Sequence, residues 1–176
     1  VFEADESDGS IVNYHPQESI LLNLDLDHQS VEETERMFRS LVSHTKQQCV
    51  FNADDRNLTA LIPAKAITFS IDSDSHYRAD ILKLKPLGSA FTVRGVNFEL
   101  AVPGRHNIYN ALAAVSLLHG RGHSLESIAR ALSGFAGIRR RFDLHLNDET
   151  ALVIDDYAHN PHKIAAMMET VRAASS

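Results

Sequence analysis

The chain has one cysteine in 176 residues, contains no Gly-x-x-x-x-Gly-Lys-[Ser/Thr] sequence, and lacks an initiator methionine. Each absence excludes something. A lone thiol, Cys49, cannot close an internal disulfide, and its neighbours Gln47, Gln48, Val50 and Phe51 mark the start of a strand rather than an activated nucleophile. No apolar stretch approaches the roughly 20 residues that cross a bilayer, and the first residues carry Glu3, Asp5 and Glu6 rather than a basic leader. A reduced, cytoplasmic setting without a membrane partner is therefore expected. Basic residues are outnumbered, 17 against 23, for a net charge of −6, which disfavours a phosphate-backbone surface and so a nucleic-acid partner. Without the glycine-rich sequence the chain has no phosphate-cradling loop of that kind. Beginning at Val1-Phe2-Glu3-Ala4, which reads as part of a buried strand, it is expected to be a segment of something longer.

What is present suffices for a core: 44% of the residues are hydrophobic, enough for one domain or for one and the start of another. The run Ile20-Leu21-Leu22-Asn23-Leu24 predicts a strand buried on both faces of a parallel sheet, ending at Asp25-Leu26-Asp27-His28. A helix over Val31 to Ser43 follows, then strands over Gln48 to Asn52 and Ala66 to Ile71, with Asp54-Asp55-Arg56-Asn57 a turn or helix start. From Tyr77 to Val102 three strands without helices, at Ala79 to Lys85, Ala90 to Val93 and Phe98 to Val102, predict a small antiparallel sheet. Helices are expected from Asn107 to His119, from Ser124 to about Leu132, and from Pro161, with strands at Phe142 to Leu146 and Ala151 to Asp155. The fold class is α/β, a mostly parallel sheet flanked by helices with a small antiparallel sheet, followed by the start of a second α/β domain. The boundary is placed near Ile138, giving domains 1–138 and 139–176.

Chemistry-bearing groups recur at strand ends and helix mouths. Glu3, Asp5, Glu6 and Asp8 crowd into six positions, a repulsive arrangement that either stays solvated or holds a hard cation such as magnesium. His28 ends the next apolar strand, where it is either a hydrogen-bonded loop residue or a second ligand beside Glu3. In Gly104-Arg105-His106-Asn107-Ile108-Tyr109-Asn110, polar groups sit at the opening of a helix whose amides attract anions. Asn107 and Asn110, three apart, can match the edge of adenine, and His106 can pack on or bond a nucleotide; Asn107 as a helix cap is the alternative. Arg139-Arg140-Arg141 is the densest positive run, suited to a phosphoryl group or to a solvated linker. Asp155-Asp156-Tyr157-Ala158-His159-Asn160-Pro161 follows a strand, so Asp156 can hold ribose hydroxyls, or the segment simply opens a helix with Asn160 as cap.

In order and register these segments resemble the Mur ligases, the muramyl-peptide ligases of peptidoglycan synthesis. The likeness rests on Glu3-Ala4-Asp5-Glu6-Ser7-Asp8, Asn23 to His28, Gly104 to Asn107 with Asn110, Arg140-Arg141-Phe142-Asp143 and Asp155 to His159, and covers almost the whole chain. It implies a P-loop-type ATPase domain lacking its first part through about Ile138, and the beginning of the C-terminal domain after it. It also implies ATP and magnesium (Mg2+) as cofactors, UDP-N-acetylmuramate and L-alanine as partners of the complete enzyme, and amide formation through an acyl phosphate. Glu3 and His28 would hold the metal, while His106, Asn107 and Asn110 would surround the nucleotide. Arg141 would reach the phosphates, Asp156 the ribose, and His159 the reacting end. A related ligase that recycles murein tripeptide, or a non-catalytic binding module, shares the resemblance. The polypeptide alone is expected to be inactive. His159-Asn160 stands where the family more often has two histidines before proline.

Overall fold

The computed structural model describes every residue except Asp5, Asp27, His28, Pro86, Glu149, Asn160, Ser175 and Ser176, and only the backbone at 82, 85, 162, 173 and 174. Two compact units emerge, Val1–Arg78 with Leu112–Gly122, and Ala79–Ala111 with His123–Ser176. Strand β4 and helix α3 contribute residues to both.

In the first unit a 3₁₀ turn, Ser10–Asn13, precedes β1 (Glu18–Leu21), α1 (Val31–His44), β2 (Gln48–Asn52), α2 (Arg56–Thr59), β3 (Ile67–Ser70) and the start of β4 (Tyr77–Lys85). The strands pair in parallel in chain order, with Ile20 opposite Val50, Val50 opposite Ile67, and Phe69 opposite Tyr77. Parallel neighbours need crossovers, and α1 supplies the first of them. Its start is fixed by a capping box in which the Ser30 hydroxyl accepts the Glu33 amide at 3.2 Å and Glu33 accepts the Ser30 amide at 3.3 Å, worth about 1 kcal/mol. Leu41 faces inward as its spacing predicts, and Val31, Phe38 and Val42 pack on a core of Leu21, Leu24, Phe51, Leu58, Leu61 and Ala66. Full burial of side chains such as Phe51 and Leu58 contributes roughly 1.5–3 kcal/mol each.

Two sequence expectations fail here. Residues 1–4 form no strand; Val1 and Phe2 are exposed, with the Phe2 ring 5.0 Å from that of Tyr14. Two apolar residues followed by an acidic run offer no alternation to bury. The run from Ile20 to Leu24 is not buried on both faces either: Leu21 and Leu24 are inside, whereas Ile20 and Leu22 are 38% and 39% exposed. Strand β1 pairs with β2 alone among the described strands, and an edge position leaves half its side chains wet.

In the second unit the rest of β4 pairs antiparallel with β5 (Gly88–Val93), and β5 with β6 (Val96–Leu100). The turn between β5 and β6 closes in two residues. Arg94 and Gly95 have φ of 50° and 81°, the left-handed pair that matches strand twist in a tight hairpin. Phe91 and Phe98, fully buried, stack across this hairpin at 5.3 Å. Helix α3 (Arg105–Gly120) begins two residues before the expected Asn107; α4 (Leu125–Ser133), capped by Ser124 onto the Ser127 amide, packs on β6. Strands β7 (Asp143–Asn147) and β8 (Leu152–Asp155) form a separate antiparallel pair, and α5 spans Pro161–Ala174. Among the described residues no helix is long and apolar enough to cross a membrane.

Candidate functional site

The site is built on the first turn of α3. Gly104 has φ +95°, and a Cβ there would meet Thr170 Oγ1 at 2.6 Å and the His106 ring at 2.8 Å, so only glycine fits. Its carbonyl accepts the amides of Asn107 at 3.1 Å and Ile108 at 3.4 Å, opening the helix. Asn107 therefore lies inside the helix, and its side-chain amide donates to the Pro103 carbonyl at 2.7 Å, which sets aside the capping alternative. The bond uses a donor and leaves Oδ1 as acceptor. Asn110, one turn on, is exposed.

Beside this turn lies a cleft of about 250 Å³. Arg105, His106 and Tyr109 line it from α3, behind Pro103 and Gly104; Ala166, Glu169 and Thr170 line it from α5, and Leu84 from β4. His106 is the electrostatic centre. Burial pushes its imidazole below the ordinary 6.5; Asp156 opposes that shift, Arg141 adds to it, and Glu169 opposes it more weakly. Arg141 and Asp156, singled out from separate sequence segments, thus both bear on the His106 imidazole. A neutral His106 offers one donor and one acceptor nitrogen.

The arginine run is a tied turn rather than a loose linker. Arg141 donates its amide to Ile138 at 3.1 Å, the Arg140 carbonyl accepts the Tyr157 amide at 2.9 Å, and the Arg140 amide reaches Asp143 at 3.2 Å. Both guanidinium groups lie over the Tyr157 ring, Arg140 at 5.2 Å and Arg141 at 5.5 Å, and the Arg141 residue stays exposed. Asp156 binds backbone: its carboxylate accepts the Phe142 and Ala158 amides, each at 2.7 Å. His159 Nδ1 lies 3.0 Å from the Tyr157 carbonyl, which can only accept, so the proton sits on Nδ1 and Nε2 is the acceptor nitrogen of the neutral ring. Its ring also meets Tyr157 edge-on at 5.1 Å.

Glu3 is an exposed carboxylate in the first unit, and His28 lies outside the described residues. Among the described residues no group of three ligating side chains gathers. A solvent-facing carboxylate still suits magnesium, which takes one or two protein oxygens and completes its shell with phosphate and water.

Sequence reasoning missed a second set of polar contacts. Beyond Leu21 the β1 ladder stops, and side chains take over: Asn52 donates to the Leu22 carbonyl at 3.0 Å, Asp55 accepts the Leu24 amide at 3.2 Å, and Asn57 donates to the Leu24 carbonyl at 2.8 Å. Asp54 accepts the amides of Ile71, Asp72 and Ser73 at 2.6, 3.0 and 2.7 Å. The polar run Asn52 to Asn57 was the available signal, but it also reads as an ordinary turn. Glu169 and Thr170 gave no signal, sitting on an amphipathic helix like any other.

The mostly parallel sheet with its helices and antiparallel extension puts the chain in the α/β class. A family model described as the Mur ligase middle domain matches residues 1–118, and the chain belongs to the Mur ligase family. It is 37% identical over 182 aligned residues to a UDP-N-acetylmuramate–L-alanine ligase of Clavibacter michiganensis, covering 98% of this chain and 38% of that protein. The corresponding protein of Rubrobacter xylanophilus is 36% identical, covering 100% and 41%. The crystal structure of the UDP-N-acetylmuramate–alanine ligase MurC from Thermotoga maritima superposes with a TM-score of 0.82 at 28% identity, over 97% of this chain and 41% of the other. The chain thus spans about two fifths of the length of the relatives it matches.

Proposed function

We propose that the full-length product of this gene is an ATP-dependent ligase that joins L-alanine to UDP-N-acetylmuramate in the cytoplasm. The observation that carries the reading is the cleft at the mouth of α3, lined by the partly buried His106 ring and shaped by Gly104, in a chain whose relatives bear that ligase's name. In this reading a carboxylate oxygen of the muramate attacks the γ-phosphorus of ATP and ADP departs. The alanine amine then attacks the acyl carbon, and phosphate leaves with the carbon–oxygen electron pair. Charge on the phosphoryl oxygens is the main obstacle, so placed cations matter most. Arg141, held over Tyr157, meets that charge with a forked guanidinium. His106, Asn107 and Asn110 serve the nucleotide, with Asn107 offering Oδ1. Asp156 serves the ribose through the lone pairs its oxygens retain, while the two backbone amides they already accept hold the Arg141 turn. His159, its Nδ1 turned to the Tyr157 carbonyl, leaves Nε2 as the nitrogen placed to take a proton from the incoming amine. Magnesium, held by Glu3 and His28, would neutralise phosphate charge. The division into a central ATP-binding domain, 1–138, and the opening of a C-terminal domain, 139–176, belongs to the same proposal.

The test is phosphate release by the full-length product with ATP, magnesium, UDP-N-acetylmuramate and L-alanine. Alanine-dependent release is expected. No alanine-dependent release overturns the reading, and release that requires murein tripeptide instead reassigns the substrate.

A further inference from the structure

We propose that Glu169 selects the nucleotide base, its carboxylate accepting a hydrogen bond from the exocyclic amine of an adenine held in the α3–α5 cleft. The inference rests on the ATP reading and adds the residue that would tell adenine from a 6-oxo purine.

The cleft has the walls a flat heterocycle needs. Tyr109 and His106 contribute rings, and Leu84 and Ala166 contribute apolar surface. Gly104 is part of that shape, because a Cβ would intrude between Thr170 and the His106 ring. Polarity then decides which ring. Glu169 is the one carboxylate among the lining residues, and an ionised carboxylate only accepts. Its neighbour Thr170 cannot offset this, since its hydroxyl already donates to the Ala166 carbonyl at 2.9 Å. The α5 wall therefore presents acceptors. An adenine amine supplies the hydrogens such a wall lacks, while the oxo group of hypoxanthine turns lone pairs toward a negative charge. Arg105, the lining residue of opposite sign, suits the anionic part of the nucleotide.

The experiment is equilibrium binding of ATP and of inosine triphosphate to the full-length product, without the other substrates, for wild type, Glu169→Ala and Glu169→Lys. Wild type should prefer ATP. Glu169→Ala should cut that preference about tenfold, mostly by weakening ATP, the scale of one lost hydrogen bond to a charged group. Glu169→Lys, donor in place of acceptor, should shift the preference towards inosine triphosphate. Because Glu169 is exposed, unchanged melting temperatures should accompany both changes. Wild-type binding with the same preference in both variants overturns the role of Glu169 while leaving the ATP reading intact. Failure of wild type to bind either nucleotide overturns the ATP reading itself, and this inference with it.

Discussion

The carboxylate of Asp156 grips the backbone of Phe142, fourteen residues earlier in the chain, at 2.7 Å. Phe142 is buried and has φ of 51°, a left-handed conformation that a bulky residue adopts only at a cost. Arg140, two residues before it, has φ of 60°. The other Asp156 oxygen holds the Ala158 amide, so one side chain ties the arginine turn to the loop that carries Tyr157 and His159. A guanidinium over a ring and an imidazole at that ring's edge are thereby kept in register.

Replacing Asp156 with Asn should break this clamp while preserving its shape. An amide offers one oxygen where two amides need acceptors, so about 1–3 kcal/mol of stability should be lost. Hydrogen exchange at Phe142 and Ala158 should quicken in step. Unchanged exchange at both amides would show that Asp156 does not hold this turn.

Gly104→Ala should be costly for two separable reasons, the positive φ and the contact with Thr170 and His106. The variant should lose about 1–3 kcal/mol in urea denaturation and bind ATP more weakly. Adding Thr170→Ala removes the nearest obstacle at 2.6 Å, and should restore part of the loss and no more, because the backbone strain persists. Full restoration would locate the whole cost in the clash.

Where local chemistry decides the outcome, the sequence was informative. Ser124 and Pro161 are written in short-range patterns, and their helices begin within a residue of expectation. The α/β alternation and the polar helix mouth were legible for the same reason. Long-range pairing was not. Nothing in Ile20 to Leu24 says that β1 has one neighbour among the described strands, because an apolar run looks alike at the edge and in the middle of a sheet. The backbone amide that Asp156 accepts from Phe142 was not anticipated either, because no spacing rule points to a partner fourteen residues away. Glu169 acquires its setting only when α5 lies along the same cleft as α3.

His106 should make the protein more sensitive to acid. Burial, its foremost influence, lowers its pKa in the folded state, so the unfolded chain takes up the proton first as pH falls below 6.5. Above that value the ring is neutral in both states and has no pH-linked effect. Stability should therefore decline from pH 6.5 downward and level off once the folded ring also titrates. His106→Gln should flatten that decline below pH 6.5 in denaturant titrations. An identical slope in the variant would mean that the buried ring is not the source.

The side chains that replace the β1 ladder should matter more than their loop position suggests. Asn57→Ala removes the donor to the Leu24 carbonyl and should cost about 1–2 kcal/mol. Asp55→Ala should cost more, because one carboxylate both receives the Leu24 amide at 3.2 Å and caps α2 through the Leu58 amide at 2.9 Å. The check is the order of the two losses in thermal melts; Asn57→Ala proving the costlier would refute it.

Glu3 and His28 distinguish a metal site from a solvated acidic loop. Glu3 is exposed, so Glu3→Ala should shift stability by less than about 0.5 kcal/mol in the full-length product. If its carboxylate meets magnesium, the same change should raise the magnesium concentration needed for half-maximal phosphate release and lower turnover by well over tenfold. His28→Ala should follow the same pattern, because the two would share one ion. Manganese titrated into the protein with ATP and followed by its electron spin resonance gives a readout independent of turnover, and both variants should leave more of the ion free. Parallel losses of melting temperature and activity, with metal binding unaltered, would assign both residues to the scaffold.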